Sequence, residues 1–460
     1  MNTPSRTPQN ALTVLVDVLE GREGALIKLL KEVGENIDTN NLIDFKQLTT
    51  THFLKWVILP ADISKLHPSR VFPAHLVLES NYDGDLDDYL KELWEVISKA
   101  IESFYSHCKG FPADCDLDKF KAYFKQHVVP IGAFYVGLPG ESVQRTQADE
   151  ALRKKLQDFL DKFQRSPAYN PSPEVIHKEL FDRALDDPAT EAMPAAKTLF
   201  GQPSKPLFNL SLPVSAGLFL GFIVIIIAGI VSGLWYLHFH GAALLILATI
   251  IISLIGLLVR LRILEKHDAL AWRMVPNALS IVPEREDWEV QNPMTHLVEI
   301  KPGFLRLLLL KVVLWAINQL AKVTYNQGNL GGIPTIHFAR WVIIDQNRRL
   351  LFFSNYDGSW ESYLGDFIMR ANVGLTGVWS NTVDFPPAEW VVNQGAKHAD
   401  AFKEWTRRHQ VETQIWYSAY PNSSISNRTK SRDIRNGLLN EELSRKNVTD
   451  QEAAEWLKLF

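Results

Sequence analysis

Two short motifs recur in this chain, and both carry residue types suited to proton transfer. Ser80-Asn81-Tyr82-Asp83-Gly84 returns as Ser354-Asn355-Tyr356-Asp357-Gly358. Upstream of each, His52 and Lys55 stand in THFLKW where His337 and Arg340 stand in IHFARW. Asp357 with Arg340 would place a carboxylate near a guanidinium, a pairing that can position a proton. The same Asp-Gly also suits a plain turn, in which Asp caps the next helix and Gly takes positive φ. Strand alternation puts His337, Ala339 and Trp341 on one face and Phe338, Arg340 and Val342 on the other, so His and Arg are expected to address different sides.

Other familiar chemistries lack their motifs. The chain has no GxxxxGK[ST], GxGxxG after a strand, HExxH, GxSxG or Cys/His metal spacing. His238-x-His240 offers two ligands, too few for a metal site, so no metal is expected. Cys108 and Cys115 are the only cysteines, which rules out a disulfide scaffold and points to reduced thiols. A net charge of −4 with no dense basic patch gives no case for nucleic acid.

The motifs belong to a longer internal repeat. Thr13-Val14-Leu15-Val16-Asp17-Val18 lines up with Thr295-His296-Leu297-Val298-Glu299-Ile300. Phe111-Pro112 and Phe385-Pro386 fall at equal distances from the Asn-Tyr-Asp-Gly motif, and Phe120, His127, Tyr135, Pro139 and Ser142 match Phe402, His409, Tyr417, Pro421 and Ser424. Colinear matches of this kind mark duplicated modules. Each copy reads as strand (13–19; 295–301), helix (22–34; 303–323), two strands (51–59 and 75–82; 336–345 and 349–356), helix (86–107; 360–372) and a last strand near 131–137 or 413–420. That order, βαββαβ, is the ferredoxin-like module, and two one-sided sheets in one chain are expected to pack face to face.

Between the copies, 215–237 and 241–259 are uncharged apolar runs of about 20 residues, each long enough for a bilayer core of roughly 30 Å. They predict a transmembrane helical hairpin. Lys205 precedes it and Arg260, Arg262 and Lys266 follow, while the connecting loop has only histidines. Positive-inside logic puts both termini and both soluble modules in the cytoplasm. No cleaved signal peptide is expected from the N-terminal residues.

The predicted class is therefore α+β: two ferredoxin-like repeats forming a pseudo-dimeric α+β barrel. The expected divisions are a first repeat (1–165), a Pro-rich extended connector (166–212), the hairpin (213–264), a connector (265–294), a second repeat (295–440) and a C-terminal helix (441–460). The apolar helix 304–320 is expected to be buried or to lie against the bilayer.

Tandem modules with Asp-Gly at this junction resemble the dye-decolourising peroxidase and chlorite dismutase group. The resemblance implies a haem held by a histidine, with His409, His398 and His337 as candidates, and Asp357 and Arg340 as catalytic residues. Only Asp357-Gly358 matches that group's GxxDG motif, since Ser354 stands where the leading Gly belongs. The aromatic-rich second copy (Trp341, Trp360, Trp379, Trp390, Trp405, Trp416) would relay radicals from a haem or pack a core. The implied function is a membrane-anchored peroxidase-like haem protein acting on a small-molecule or lipid-derived substrate. The alternative is a non-catalytic module that binds a ligand or partner at the bilayer.

Overall fold

The computed structural model describes residues 8–164, 171–185, 240–273, 289–323, 333–439 and 448–460, with isolated positions between 228 and 236. In the first copy, β1 (Gln9–Asp17), α1 (Glu23–Glu35), β2 (Thr51–Leu59), β3 (His75–Asp83), α2 (Leu86–Tyr105), α3 (Leu117–Gln126) and β4 (Ile131–Val136) follow in order. Helices α4 (Val143–Gln164), α5 (Pro173–Leu185) and α6 (His240–Ala271) lead to the second copy. That copy comprises β5 (Gln291–Glu299), α7 (Phe304–Val323), β6 (Ile336–Ile344), β7 (Arg349–Asp357), α8 (Trp360–Arg370), α9 (Asn372–Trp379), α10 (Ala399–Arg408) and β8 (Ile415–Ser418). Helices α11 (Ile425–Leu439) and α12 (Asp450–Leu457) end the chain.

The fold is α+β, with two four-stranded antiparallel sheets in the orders β1-β3-β2-β8 and β4-β6-β7-β5. Each sheet therefore holds three strands of one copy and the last strand of the other. The crossing is local. Leu15 N–H donates to His127 O and Val129 N–H to Thr13 O, so the approach to β4 lies beside β1. β4 then pairs with β6 of the other sheet. The second copy repeats the device: Leu297 N–H donates to His409 O and Val411 N–H to Thr295 O, after which β8 pairs with β2.

All nine residues of β2 and of β3 are buried, between helices on one side and the opposite sheet on the other. That explains strands without polar alternation. Leu54, Trp56 and Ile58 join the helix-side core, while Val57 and Leu59 meet Val342, Ile344, Leu351 and Phe353 between the sheets. Helices α4, α5, α11 and α12 share a third core through Leu152, Leu156, Leu180, Ile434, Leu438 and Trp456.

Several expectations change. The first strand of each copy begins four residues earlier than the apolar run suggests, because its polar start pairs along the full length of β3 or β7. Part of the stretch read as an extended connector is helical: α5 starts at Pro173, where a missing N–H is tolerated, and buries Leu180 and Ala184. Helices α3 and α10 were not foreseen in either copy.

Among the described residues, two helices are long and apolar enough to cross a membrane, Leu244–Ala271 within α6 and Phe304–Ala321 within α7. They sit differently. Only 6% of the most apolar window of α6 is buried, and Leu245, Ile252, Ile255 and Val259 are exposed around it. Helix α7 packs on β4, with Leu310 and Leu314 buried and Leu314 set against Gly132. The expected helix 241–259 is thus the first part of a longer α6. Apart from isolated positions, the expected helix 215–237 lies outside the described residues.

Candidate functional site

The repeated histidines stand at irregularities in their strands. Register shifts between Thr51 and Phe53 in β2 and between Ile336 and Phe338 in β6, leaving His52 and His337 as the extra residues. A β-bulge interrupts alternation, so His337 does not follow Ala339 and Trp341 to the helix side. Its ring packs 5.2 Å from Phe53, and the ring of His52 lies 5.3 Å from Phe338. Both phenylalanines belong to the cluster between the sheets.

Each histidine meets the Asp of its own repeat. His52 Nε2 lies 2.9 Å from Asp83 Oδ1 and His337 Nε2 lies 2.6 Å from Asp357 Oδ1. The other carboxylate oxygen accepts from a helix N-terminus, Val143 N–H of α4 or Ile425 N–H of α11, each at 2.7 Å. The expected cap is thus corrected. These carboxylates do not cap the next helix, whose caps are Asp85 and Ser359; they cap one more than fifty residues on. Gly84 and Gly358 do take positive φ, at 89° and 77°.

The two copies differ at the second ring nitrogen. His52 Nδ1 lies 2.8 Å from the Tyr420 hydroxyl, and His337 Nδ1 lies 3.1 Å from an Arg428 guanidinium nitrogen. A guanidinium only donates, so His337 Nδ1 must accept and Nε2 must carry the proton given to Asp357. A hydroxyl can donate or accept, so Tyr420 imposes no tautomer on His52, and Asp83 alone keeps the proton on Nε2. Burial holds both rings below the ordinary histidine range, against the opposing pull of Asp83 and Asp357. Both rings are neutral near pH 7.

This asymmetry yields a prediction. Asp83→Asn should cost less than about 1 kcal/mol, because His52 can shift its proton to Nδ1 and accept from the new amide. Asp357→Asn should cost about 1–3 kcal/mol, because Arg428 blocks that shift and two donors then face each other. Unfolding midpoints of the two variants in detergent measure the difference. Equal shifts would contradict the assigned tautomers.

Arg340 is not brought to Asp357. Its guanidinium ends in the first copy, donating to Leu12 O (2.7 Å), Thr13 Oγ1 (3.0 Å), Ser80 O (2.7 Å) and Asn81 Oδ1 (2.8 Å) and pairing with Glu79. Lys55, the repeat counterpart of Arg340, reaches Ser354 O at 3.2 Å and the same Glu79 at 3.5 Å. Burial lowers Lys55 to about 8. Two cations from matching positions therefore share one carboxylate between the sheets. Glu79 itself has no acidic counterpart, since Phe353 holds the equivalent place.

The histidines named for haem do not converge on one space. His409 ends α10 with Nδ1 bonded to Trp405 O at 2.8 Å and Nε2 facing Lys65 Nζ at 3.2 Å. His398 is exposed at the start of α10 and its side chain caps nothing. Both nitrogens of His337 are engaged, as above. The space between the sheets is filled by Phe53, Phe134, Phe338, Tyr420 and the aliphatic cluster beside them. These residues do not fit a haem, and no group of three or more His, Cys, Asp or Glu among the described residues could hold a metal. Trp341, Trp360, Trp379 and Trp405 are buried in the second copy's core, while Trp390 is exposed.

Sequence reasoning sought the chemistry in the second copy and so missed Lys55, Glu79, Thr13 and Asn81 of the first, and it gave no role to Tyr420 or Arg428 of the second. The signal available was the pairing of His52 with His337 and of Lys55 with Arg340, read as parts of one assembly. Compared with protein-family models, curated proteins and solved structures, the chain matches none.

Proposed function

We propose that this chain is a membrane-anchored, non-catalytic module, two ferredoxin-like repeats closed into one barrel that presents a binding surface beside the bilayer. The observation that supports it most directly is the fate of the repeated polar residues. His52, Asp83, His337, Asp357, Lys55 and Arg340 all spend their hydrogen bonds on the chain itself. They tie each sheet to its partner and to the helices α4 and α11, leaving no reactive atom aimed at a substrate. Buried polar networks of this kind specify one arrangement of a core.

The anchor in this reading is α6. Its exposed apolar length would be costly in water and is favourable in hydrocarbon. The basic residues that follow its apolar run favour the cytoplasm for both repeats. Strand exchange supports the pseudo-dimeric barrel, with the last strand of each module completing the other's sheet.

The test uses the full chain, produced with haem in excess and purified in detergent. The expected result is a folded protein with no Soret band and no peroxide-dependent dye oxidation above that of a His409→Ala variant. A Soret band that disappears in His409→Ala or His337→Ala would overturn this reading and restore the peroxidase-like one.

A further inference from the structure

Helix α6 does not swing freely from the second repeat. Glu265 on α6 is buried, and its carboxylate accepts from Trp390 N–H at 2.9 Å and Val391 N–H at 2.7 Å while holding Arg262. One turn on, Asp268 accepts from Lys301 Nζ at 2.9 Å and pairs with Arg306. These contacts fix α6 against the start of α7 and the loop that carries Trp390. The uncharged apolar run of α6 ends at Val259, six positions before Glu265, an axial rise of about 9 Å, and Ile263 between them is also exposed. That distance is comparable with the headgroup layer outside a hydrocarbon core.

At the same place α7 turns apolar side chains outward. Phe304, Leu308, Val312 and Trp315 are exposed, spaced so that they form one stripe. Phe304 is 80% exposed, which is unusual for a side chain of that size beside a fixed helix junction. Trp390, stacked under the Arg262 guanidinium at 4.9 Å, and Val392 are exposed on the neighbouring loop. Val313, on the face of α7 away from the stripe, and Val392 both approach Gly377 of α9, so α7 and the loop pack on a common element. Arg260, Arg262, Lys266 and Lys311 supply positive charge around this surface. Aromatic and aliphatic side chains ringed by Lys and Arg are what an interfacial surface requires.

We infer that the second repeat rests on the bilayer that α6 enters, with the outer stripe of α7 and the Trp390–Val392 loop seated in the headgroup layer. This rests on the reading of α6 as a membrane helix and adds a second, lateral contact to it. The occupant is the lipid surface. The first repeat meets the second through the sheets, through α4 against α11, and through the Lys65–Asp384 and Ser64–Glu299 contacts.

The test uses the full chain in nanodiscs of phosphatidylcholine with phosphatidylserine, in a Cys115→Ser background that leaves only buried Cys108. An environment-sensitive fluorophore is placed at Leu308→Cys, at Trp315→Cys, at Leu254→Cys on α6 and at Lys99→Cys on α2. Lipids carrying a nitroxide near the headgroup or deep in the acyl chain act as quenchers. The expected result is loss of most fluorescence at 308 and 315 with the shallow quencher, loss at 254 with the deep one, and none at 99. If 254 is quenched while 308 and 315 behave like 99, the lateral contact is wrong and the anchor stands. A blue-shifted but unquenched label at 308 and 315 means that protein covers the stripe, which also overturns the inference. No quenching at 254 removes the anchor itself, and the inference with it.

Discussion

Replacing Arg340 with alanine should destabilise the protein by about 3–5 kcal/mol, the usual cost of removing one partner from a buried ion pair. The guanidinium leaves behind Glu79, Asn81, Thr13 and the carbonyls of Leu12 and Ser80, all buried. Lys55 cannot substitute for it. Its ammonium stands 3.5 Å from Glu79 on the far side and is already committed to Ser354 O. Neutralising all three charges tests whether charge is the cause. A triple variant, Lys55→Met and Glu79→Gln with Arg340→Met, should lose clearly less than Arg340→Ala alone, because no charge is then stranded in the interior. Chemical unfolding in detergent reads both. A shift below about 1 kcal/mol for Arg340→Ala would show that the guanidinium does not hold the two sheets together.

The second large effect is a pH dependence assigned to one residue. Burial, helped by Lys65, lowers His409 from 6.5 to about 4. The unfolded chain therefore takes up a proton between these values that the folded chain refuses. Stability from this group is fully present above pH 6.5 and is lost as pH falls towards 4. At pH 5 the loss is about 2 kcal/mol relative to pH 8. His52, His296 and His337 act in the same direction, each lowered by burial. Asp149 acts in the opposite one, since burial beside Glu141 raises it to about 8. The total profile mixes these signs, so the useful readout is a difference. His409→Gln should be less stable than the parent at pH 8 and should close that gap by about 2 kcal/mol at pH 5. A gap that does not change with pH would remove His409 as the titrating group.

How much of this was visible in the residues differs from feature to feature. The repeat was legible because His52 and His337, Asp83 and Asp357, and Gly84 and Gly358 keep their order and spacing, and the strand and helix runs around them largely follow. The exchange of last strands was not legible. Residues 131–136 have the same apolar pattern whether they pair with β1 or with β6, and nothing in that pattern names the partner strand. The position of His337 was misjudged for a similar reason. A bulge inserts one residue without altering composition, so alternation counted along the sequence sends the ring to the wrong face. The cation cluster was hidden because its carboxylate, Glu79, lacks a counterpart, and comparing the copies shows only what they share. Tyr420 and Arg428 lie beyond the repeated strands and carry no motif. They enter the site only because α11 is held by Asp357.

The exchanged strands also constrain how the chain can be threaded. β4 is hydrogen-bonded into the second copy's sheet and β8 into the first, so the two copies cannot stand on opposite sides of any bilayer. The number of crossings between them must then be even. A lone anchoring helix is incompatible with the sheets themselves, independently of any count of lysines and arginines. On the proposed reading of α6 as a membrane helix, parity more than charge requires a second crossing between the copies. It also orders events during synthesis: the first sheet lacks its β8 edge until residues 415–418 emerge, long after the membrane segment has been made.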